Sequence, residues 1–264
     1  MALIHLFLLA VVQGVTEFLP VSSSAHLVLF PKVVGVMDQG LIMDVAVHIG
    51  SLLAVLVFFY KDVLKLAQTT VLYTKAEEQD KNLLKHVIVA SLPVVIAGAV
   101  LHYYLPNGLR NVMWIAWASI GFGLLLWAAD HFGKTHKSVS DMTVKNAFWI
   151  GMAHICALFP GASRSGVTMS MARACGLSRV EAARFSLLIG IPVIAGAGTV
   201  GLYDLIHTGN IQLGYDVFVA IVFSFLSALG AIMVMMKFLK HFNFLPFVLY
   251  RVVLGGIILF VLQS

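Results

Sequence analysis

The sequence predicts an all-α polytopic membrane protein. It reads as one integral membrane domain over 1–264, with six transmembrane helices, two opposed re-entrant helix hairpins and an inverted-topology repeat. Three observations predict this. First, 60% of the 264 residues are hydrophobic and only 11% are charged, and the mean hydropathy is +0.97. An ordinary soluble domain carries about 25% charged residues. A water-soluble fold of this size has no means of hiding so much apolar surface, so disorder and a soluble globular enzyme are both excluded. Second, six apolar segments approach the roughly 20 residues that a helix needs to cross a bilayer. Third, two further apolar stretches are interrupted at their centres by proline and polar residues.

Taken in order, the chain opens with an apolar stretch, 2–12, that no Lys or Arg precedes. No small-residue cleavage site follows, so it does not read as a removable signal peptide. The first hairpin occupies 1–40. Its apolar arms, 2–12 and 27–36, flank Gln13, Glu17, Pro20, Ser22, Ser23, Ser24 and His26. Three spans then fall within 42–129, at 42–60, 84–105 and 111–129. The second hairpin is 147–175, where Pro160, Gly161, Ser163, Arg164, Ser165 and Gly166 separate two short apolar arms. Three more spans fall within 183–263, at 183–202, 215–236 and 247–263. Tyr60, Tyr103, Tyr104, Trp127 and Tyr203 sit near span ends, as interfacial anchors do. Neither hairpin arm is long enough to cross alone, and proline breaks a helix. Non-helical backbone is tolerated at membrane depth only where protein buries it or it lines a wet cavity.

Lys and Arg set the orientation. Placing the 61–83 loop in the cytoplasm puts fourteen of the 17 basic residues on that side, from Lys61 through Arg173 and Arg179 to Arg251. Lys32 and Arg110 face outward, and Arg164 lies in the second tip. This asymmetry predicts both termini outside. It also brings the first hairpin in from outside and the second from inside, as an inverted repeat does. The echo of Pro20-Val-Ser-Ser-Ser24 in Pro160-Gly-Ala-Ser-Arg-Ser165 supports duplication, as does that of Pro93-Val-Val-Ile-Ala-Gly98 in Pro192-Val-Ile-Ala-Gly196. The motif order does not fit a simple tandem repeat. The net charge of +5 comes from basic residues scattered through loops, which argues for topology and against nucleic acid. Cys156 and Cys175 form neither a CxxC pair nor a zinc spacing.

Glu17 and Arg164 are the costly residues, since a charge at bilayer depth costs roughly 2.5–3.5 kcal/mol on insertion scales. They can form a structural ion pair, but their neighbours are too polar for a simple lock. Arg164 with Ser163, Ser165, Gly166 and Thr168 at a restarting helix suits a phosphate group. In the first tip, Ser22, Ser23, Ser24 and His26 add hydroxyls and an imidazole. Ser22 or Ser23 can act as a nucleophile activated by His26, or His26 can itself attack phosphorus. Glu17, with Gln13 one helical turn before it, can hold a divalent cation or act as a base. The serines also serve to satisfy backbone at the break. Asp44 and His48 either pair or face the cavity, and His154 lies one turn before the second tip. Asp130, His131, Lys134, His136 and Lys137 read as a solvated cytoplasmic cluster.

Gln13-Gly-Val-Thr-Glu17-Phe-Leu-Pro20-Val-Ser-Ser-Ser-Ala-His26 resembles the first signature of the undecaprenyl pyrophosphate phosphatase (bacitracin-resistance) family. Pro160-Gly-Ala-Ser-Arg164-Ser-Gly-Val-Thr168 resembles its second, and Asp44-Val-Ala-Val-His48 and the stretch from Ser178 to Pro192 agree further. The resemblance implies a multi-pass enzyme of the bacterial cytoplasmic (inner) membrane. It would hydrolyse undecaprenyl pyrophosphate to undecaprenyl phosphate, recycling the lipid carrier of peptidoglycan synthesis and giving bacitracin resistance. It also implies a divalent cation, Mg2+ or Ca2+, and a homodimer. By motif matching, Glu17 and Gln13 form the acidic motif, with Gln13 and Glu17 the metal-binding pair. Ser23 and His26 take nucleophile or acid–base roles, and Arg164 with its serines grips the pyrophosphate. Three departures stand out. Gln13 removes one possible carboxylate, Ala25 stands where Gly is usual, and His154 stands where Gln is common. The rival reading is a lipid-carrier transporter or flippase using the same midplane site, which would not need a nucleophile.

Overall fold

The computed structural model describes residues 3–35, 40–104, 111–133, 137–208 and 211–263. Eleven α-helices are found among them: α1 (Leu3–Phe18), α2 (Ser23–Val34), α3 (Gly40–Phe58), α4 (Tyr60–Val71), α5 (Glu78–Tyr104), α6 (Val112–Phe132), α7 (Val144–Ile155), α8 (Arg164–Ala174), α9 (Arg179–Thr208), α10 (Ile211–Phe238) and α11 (Leu245–Gln263). Short 3₁₀ turns lie at Tyr73–Lys75, Val139–Asp141 and Cys156–Leu158. Arg110, Lys134 and His136 lie outside the described residues, as do the side chains of Lys32 and Tyr203.

Helix covers most of each expected span, although 42–60 is broken at Phe59, Asn111 precedes its helix and 105 lies outside the described residues. Among the described residues four stretches, Glu78–Leu101, Val112–Phe132, Gly214–Phe238 and Leu245–Leu262, are long and apolar enough to cross a membrane. A fifth is reached if Ile42–Phe58 and Tyr60–Val71 count together, although the chain bends there by 88°. The bend ends the predicted 42–60 span two residues early and turns the amphipathic α4 aside. The thirty-residue α9 covers 183–202. Pro93 lies inside α5 and Pro192 inside α9 without ending either helix.

The two interrupted stretches form matched helix–break–helix units, with α1 packed on α2 and α7 on α8. In the first, α1 stops at Phe18 and the chain turns through Leu19-Pro20, with Val21 N–H donating to the Leu19 carbonyl at 2.8 Å. The second passes through the Cys156–Leu158 turn, Pro160 and Gly161 (φ 93°). Each restarts on a serine N-cap. Ser22 Oγ accepts from Ala25 N–H at 3.4 Å, and Ser163 Oγ from Gly166 N–H at 3.2 Å. These serines, with φ 76° and 68°, are the only non-glycine residues of positive φ among those described. Such a conformation costs on the order of 1–3 kcal/mol and persists where the surroundings impose it.

The packing around these units is also matched. The α1 helix crosses α10 and α7 crosses α5, while α3 meets α9 and α6 meets α11. Glycine makes both crossings close. A Cβ on Gly14 would lie 2.6 Å from the Ser224 carbonyl oxygen of α10, and one on Gly151 would lie 2.8 Å from the Ala90 carbonyl oxygen of α5. Without water to drive burial, helices in lipid associate through such small-residue contacts. Pro93 and Pro192 sit on α5 and α9, which occupy different places in this pattern. Their sequence echo therefore does not mark equivalent helices, which explains the motif order that no tandem repeat fits.

Asp130 corrects one expectation. It is buried at 7% exposure rather than solvated. Its carboxylate accepts from Arg173 Nε (3.0 Å), Arg179 Nε (2.8 and 3.1 Å) and the Phe244 N–H (3.3 Å). Arg173 also donates to the carbonyls of Leu177 and Gly133. One carboxylate thus ties α6, α8, the start of α9 and the approach to α11. Arg173 and Arg251, both counted above on the cytoplasmic side, are buried at 3% and 0% exposure.

Candidate active site

The two breaks meet. Ser165 Oγ in the second donates to the Leu19 carbonyl in the first at 2.9 Å. At the junction lies a cavity of about 220 Å³ lined by Glu17, Ser23, Ser24, His48, His154, Ser163 and Arg164, with Val94, Val193 and Ile194 among its apolar walls.

Glu17 is the hub. It closes α1, and its side chain is 5% exposed. Oε1 accepts from Arg164 Nη2 at 3.2 Å. Oε2 accepts from Gln13 Nε2 at 2.8 Å and from Ser23 Oγ at 2.6 Å, and His48 Nε2 lies 3.5 Å away. Gln13 reaches it because the two are four residues apart on one helix face. Arg164 opens α8 from the opposite break. Its Nη1 donates to the Ser186 carbonyl of α9 at 3.3 Å, and its guanidinium carbon lies 5.6 Å from the centre of the Phe18 ring. Its Nε is buried without a partner. The seat for this fork is Gly190, where a Cβ would fall 1.9 Å from Arg164 Nη1.

Of the residues expected from sequence, Glu17, Ser23, Ser24, Ser163 and Arg164 face the cavity together. The others are not among its lining residues. Ser22 caps α2 and lies 3.2 Å from Ser24 Oγ. Ser165 joins the breaks and Gly166 receives the Ser163 cap. Thr168 Oγ1 donates to the Arg164 carbonyl at 2.8 Å and lies 2.6 Å from Ser186 Oγ. His26 corrects the expected pairing with Ser23. Its Nδ1 lies 2.7 Å from the Ser22 carbonyl and its Nε2 2.5 Å from the Tyr250 hydroxyl, with the two rings stacked. Ser23 donates to Glu17 instead.

Sequence reasoning gave too little weight to four residues. His48 is fixed by Nδ1 at 2.6 Å from the Asp44 carbonyl, which aims Nε2 at Glu17. His154 is fully buried on the cavity wall. Neither ring nitrogen completes a hydrogen bond, although the Ala90 carbonyl faces the ring. Gly190 carries no sequence signal, because a glycine inside an apolar helix reads as packing. Arg251 did carry one, as a lone arginine inside an apolar run.

Among the described residues no three His, Cys, Asp or Glu side chains gather as a metal cage. One carboxylate, Glu17, and the buried unpartnered Gln13 Oε1 are the oxygen donors at the hub. That set suits a hard cation that keeps waters and takes further oxygens from an anionic ligand. The cavity as a whole offers an arginine fork with a free donor, two imidazoles, hydroxyls and one carboxylate. This chemistry suits a phosphate-bearing ligand and a proton taken from Ser23.

Residues 6–257 match the family described as Bacitracin resistance protein BacA. The undecaprenyl-diphosphatase of Maricaulis maris (strain MCS10) is 45% identical over 260 residues, covering 97% of both chains. That of Roseobacter denitrificans (strain ATCC 33942 / OCh 114) is 45% identical over 263 residues, covering 98% of both. That of Ruegeria pomeroyi (strain ATCC 700808 / DSM 15171 / DSS-3) is 42% identical over 267 residues, covering both completely. Both breaks and every cavity residue fall within the matched span, and the chain belongs to the bacitracin resistance protein BacA family.

Proposed function

We propose that this chain hydrolyses undecaprenyl diphosphate to undecaprenyl phosphate and inorganic phosphate, recycling the lipid carrier of cell-wall synthesis. The observation that carries the reading is the convergence of Glu17, Ser23 and Arg164 from two separate breaks onto one cavity. The relatives named above are undecaprenyl-diphosphatases of matching length.

Ser23 Oγ attacks the terminal phosphorus as its proton passes to Glu17, 2.6 Å away. The new Oγ–P bond forms as the anhydride P–O bond breaks, and the leaving group is undecaprenyl phosphate. Water then attacks the phosphoserine, releasing phosphate and restoring Ser23. Arg164, placed by Gly190 and the Ser186 carbonyl, neutralises charge spreading over the equatorial oxygens. His48 holds Glu17 against reorientation, and His154 supplies a nitrogen to a phosphate oxygen. A divalent cation held by Glu17 and Gln13 would neutralise diphosphate charge when bound. The buried cavity strengthens every ionic contact.

The same reading places the chain in the bacterial cytoplasmic membrane with six spans and both termini outside. The two breaks enter as hairpins from opposite faces, and the matched packing of α1 on α10 and α7 on α5 supports that inverted arrangement. The copies pair as homodimers. A flippase would use the same matched hairpins, but it has no need of the Ser23–Glu17 pair.

The test is phosphate release from a prenyl diphosphate by purified protein in detergent. Arg164→Ala and Ser23→Ala should each lose release, and radiolabel from the terminal phosphate should be trapped on the unsubstituted chain but not on Ser23→Ala. Undiminished release by folded Arg164→Ala would sink the assigned site. Failure of the unsubstituted protein to release phosphate would favour carrier movement instead.

A further inference from the structure

Arg251 is fully buried and heads the largest fully buried side chains. It lies on α11, in an otherwise apolar run, yet among the described residues every hydrogen-bond partner of its guanidinium is a backbone carbonyl. Nε donates to Ser119 at 3.1 Å. Nη2 donates to Gly161 and Ala162 at 2.9 Å each, with Ala118 at 3.5 Å. Nη1 reaches Pro20 at 3.5 Å. Three of these carbonyls, Pro20, Gly161 and Ala162, belong to the breaks on the two sides of the cavity.

A helix break frees carbonyls that lipid cannot satisfy. Satisfying three of them from one rigid planar fork does more than solvate them. It sets the position of one break relative to the other. The site is shaped to admit this fork, since a Cβ on Gly166 would lie 2.5 Å from Nη1 and one on Gly123 would lie 3.3 Å from Arg251 Cβ. Ser119 Oγ returns a hydrogen bond to the Arg251 carbonyl at 3.2 Å, fixing the base of the side chain. The preceding residue, Tyr250, holds His26 of the first break. One turn of α11 therefore grips both tips. Among the described residues no carboxylate pulls the fork aside, so its donors remain available to the tips.

We propose that Arg251 is a positioning residue of the active site. It sets the register of the two broken-helix tips through their carbonyls, and with it the alignment of Glu17 and Ser23 with Arg164. The tips are also joined by Ser165 to Leu19 and by Arg164 to Glu17. Loss of the Arg251 fork should therefore shift their register without separating them.

The kinetic arm of the test rests on the hydrolase reading, and hydrogen exchange at the tips does not. Both use the full chain in lipid nanodiscs. Arg251→Gln keeps a donor but loses the fork and charge. It should lower kcat about 10²-fold, as a roughly 1 Å misplacement does, while KM stays within about threefold. Exchange should rise at residues 20–25 and 160–167 and stay unchanged in α5 and α10. Arg251→Lys, which keeps the charge but not the fork, should recover only part of kcat. Full kcat in Arg251→Gln, or unchanged exchange at both tips, overturns the proposal. If Arg251→Gln fails to fold, Gly166→Ala decides, because it keeps the guanidinium but drives a methyl into Nη1. Raised tip exchange with lowered kcat supports the proposal, and unaltered exchange overturns it. If the unsubstituted protein releases no phosphate, the hydrolase reading fails while the exchange result still decides the role of Arg251.

Discussion

Gly190→Ala separates catalysis from folding. The added Cβ would sit 1.9 Å from Arg164 Nη1, 2.7 Å from its Cζ and 3.3 Å from Nη2. To regain ordinary contact at about 3.4 Å, Nη1 must retreat by about 1.5 Å. That movement exceeds the slack in the 3.2 Å contact with Glu17 and the 3.3 Å contact with the Ser186 carbonyl. Removing one preorganised donor at a developing oxyanion costs about 10²–10³ in kcat, or about 2.7–4 kcal/mol. Alanine meanwhile favours a helix over glycine by roughly 1 kcal/mol, so α9 itself should not weaken. The expected result is a kcat/KM reduced by at least about 10²-fold, with a thermal midpoint at or near that of the unsubstituted protein. Phosphate release with synthetic prenyl diphosphate, alongside thermal unfolding in the same detergent, reads both quantities. A kcat/KM within threefold of the unsubstituted value would refute the assignment of Arg164 and of its glycine seat together.

Other outcomes follow from the same contacts. His154→Leu removes two buried cavity nitrogens that complete no hydrogen bond among the described residues, Arg164 Nε being a third. It should lower kcat by about tenfold or more while raising stability, because a buried unsatisfied polar group costs about 1–3 kcal/mol. Chelation of divalent cations should abolish phosphate release. Gln13→Leu should weaken cation affinity measured by calorimetry in the presence of a non-hydrolysable diphosphonate, and unchanged affinity would remove Gln13 from the cation site. Asp130→Asn leaves Arg173 and Arg179 without their carboxylate, and should cost about 3–5 kcal/mol, seen as a large fall in thermal midpoint. The Ser138 hydroxyl and N–H hold the exposed Asp141 carboxyl below its ordinary range. Its contribution to loop order is complete above that range and disappears as pH falls through the lowered value. Ser138→Ala should move the titration upward, as carboxyl NMR shifts would show.

Much of the architecture was legible because lipid imposes simple rules. A run such as 215–236 has almost no other place to go, and α10 covers it. Proline and serine at 20–24 and 160–165 signalled breaks, and the chain restarts at Ser23 and Arg164. The 88° turn after Phe58 left no such sign, because apolar residues continue through it, whereas the contacts that hold α4, its packing on α5 and the Asp62–Arg184 ion pair to α9, are distant in sequence. Asp130 read as solvated because the arginines that bury it are 43 and 49 residues away.

At the site the division is sharper. Local sequence determined which residues carry charge, hydroxyl and imidazole at membrane depth, since an expensive Glu17 or Arg164 in an apolar setting declares itself. It also determined where helix is forbidden. Only the tertiary structure decided who faces whom. Ser23 donates to Glu17 while His26 turns to Tyr250, 224 residues away. Gly190 matters only because Arg164 lies against it. Arg251 changes from an orientation signal to the clamp of both breaks once α11 docks on α6. The physical reason is one of range. Hydropathy and backbone breaks are set within a turn or two of chain, whereas partners for a buried charge are chosen by whichever distant carbonyl or carboxylate the packing brings within about 3 Å.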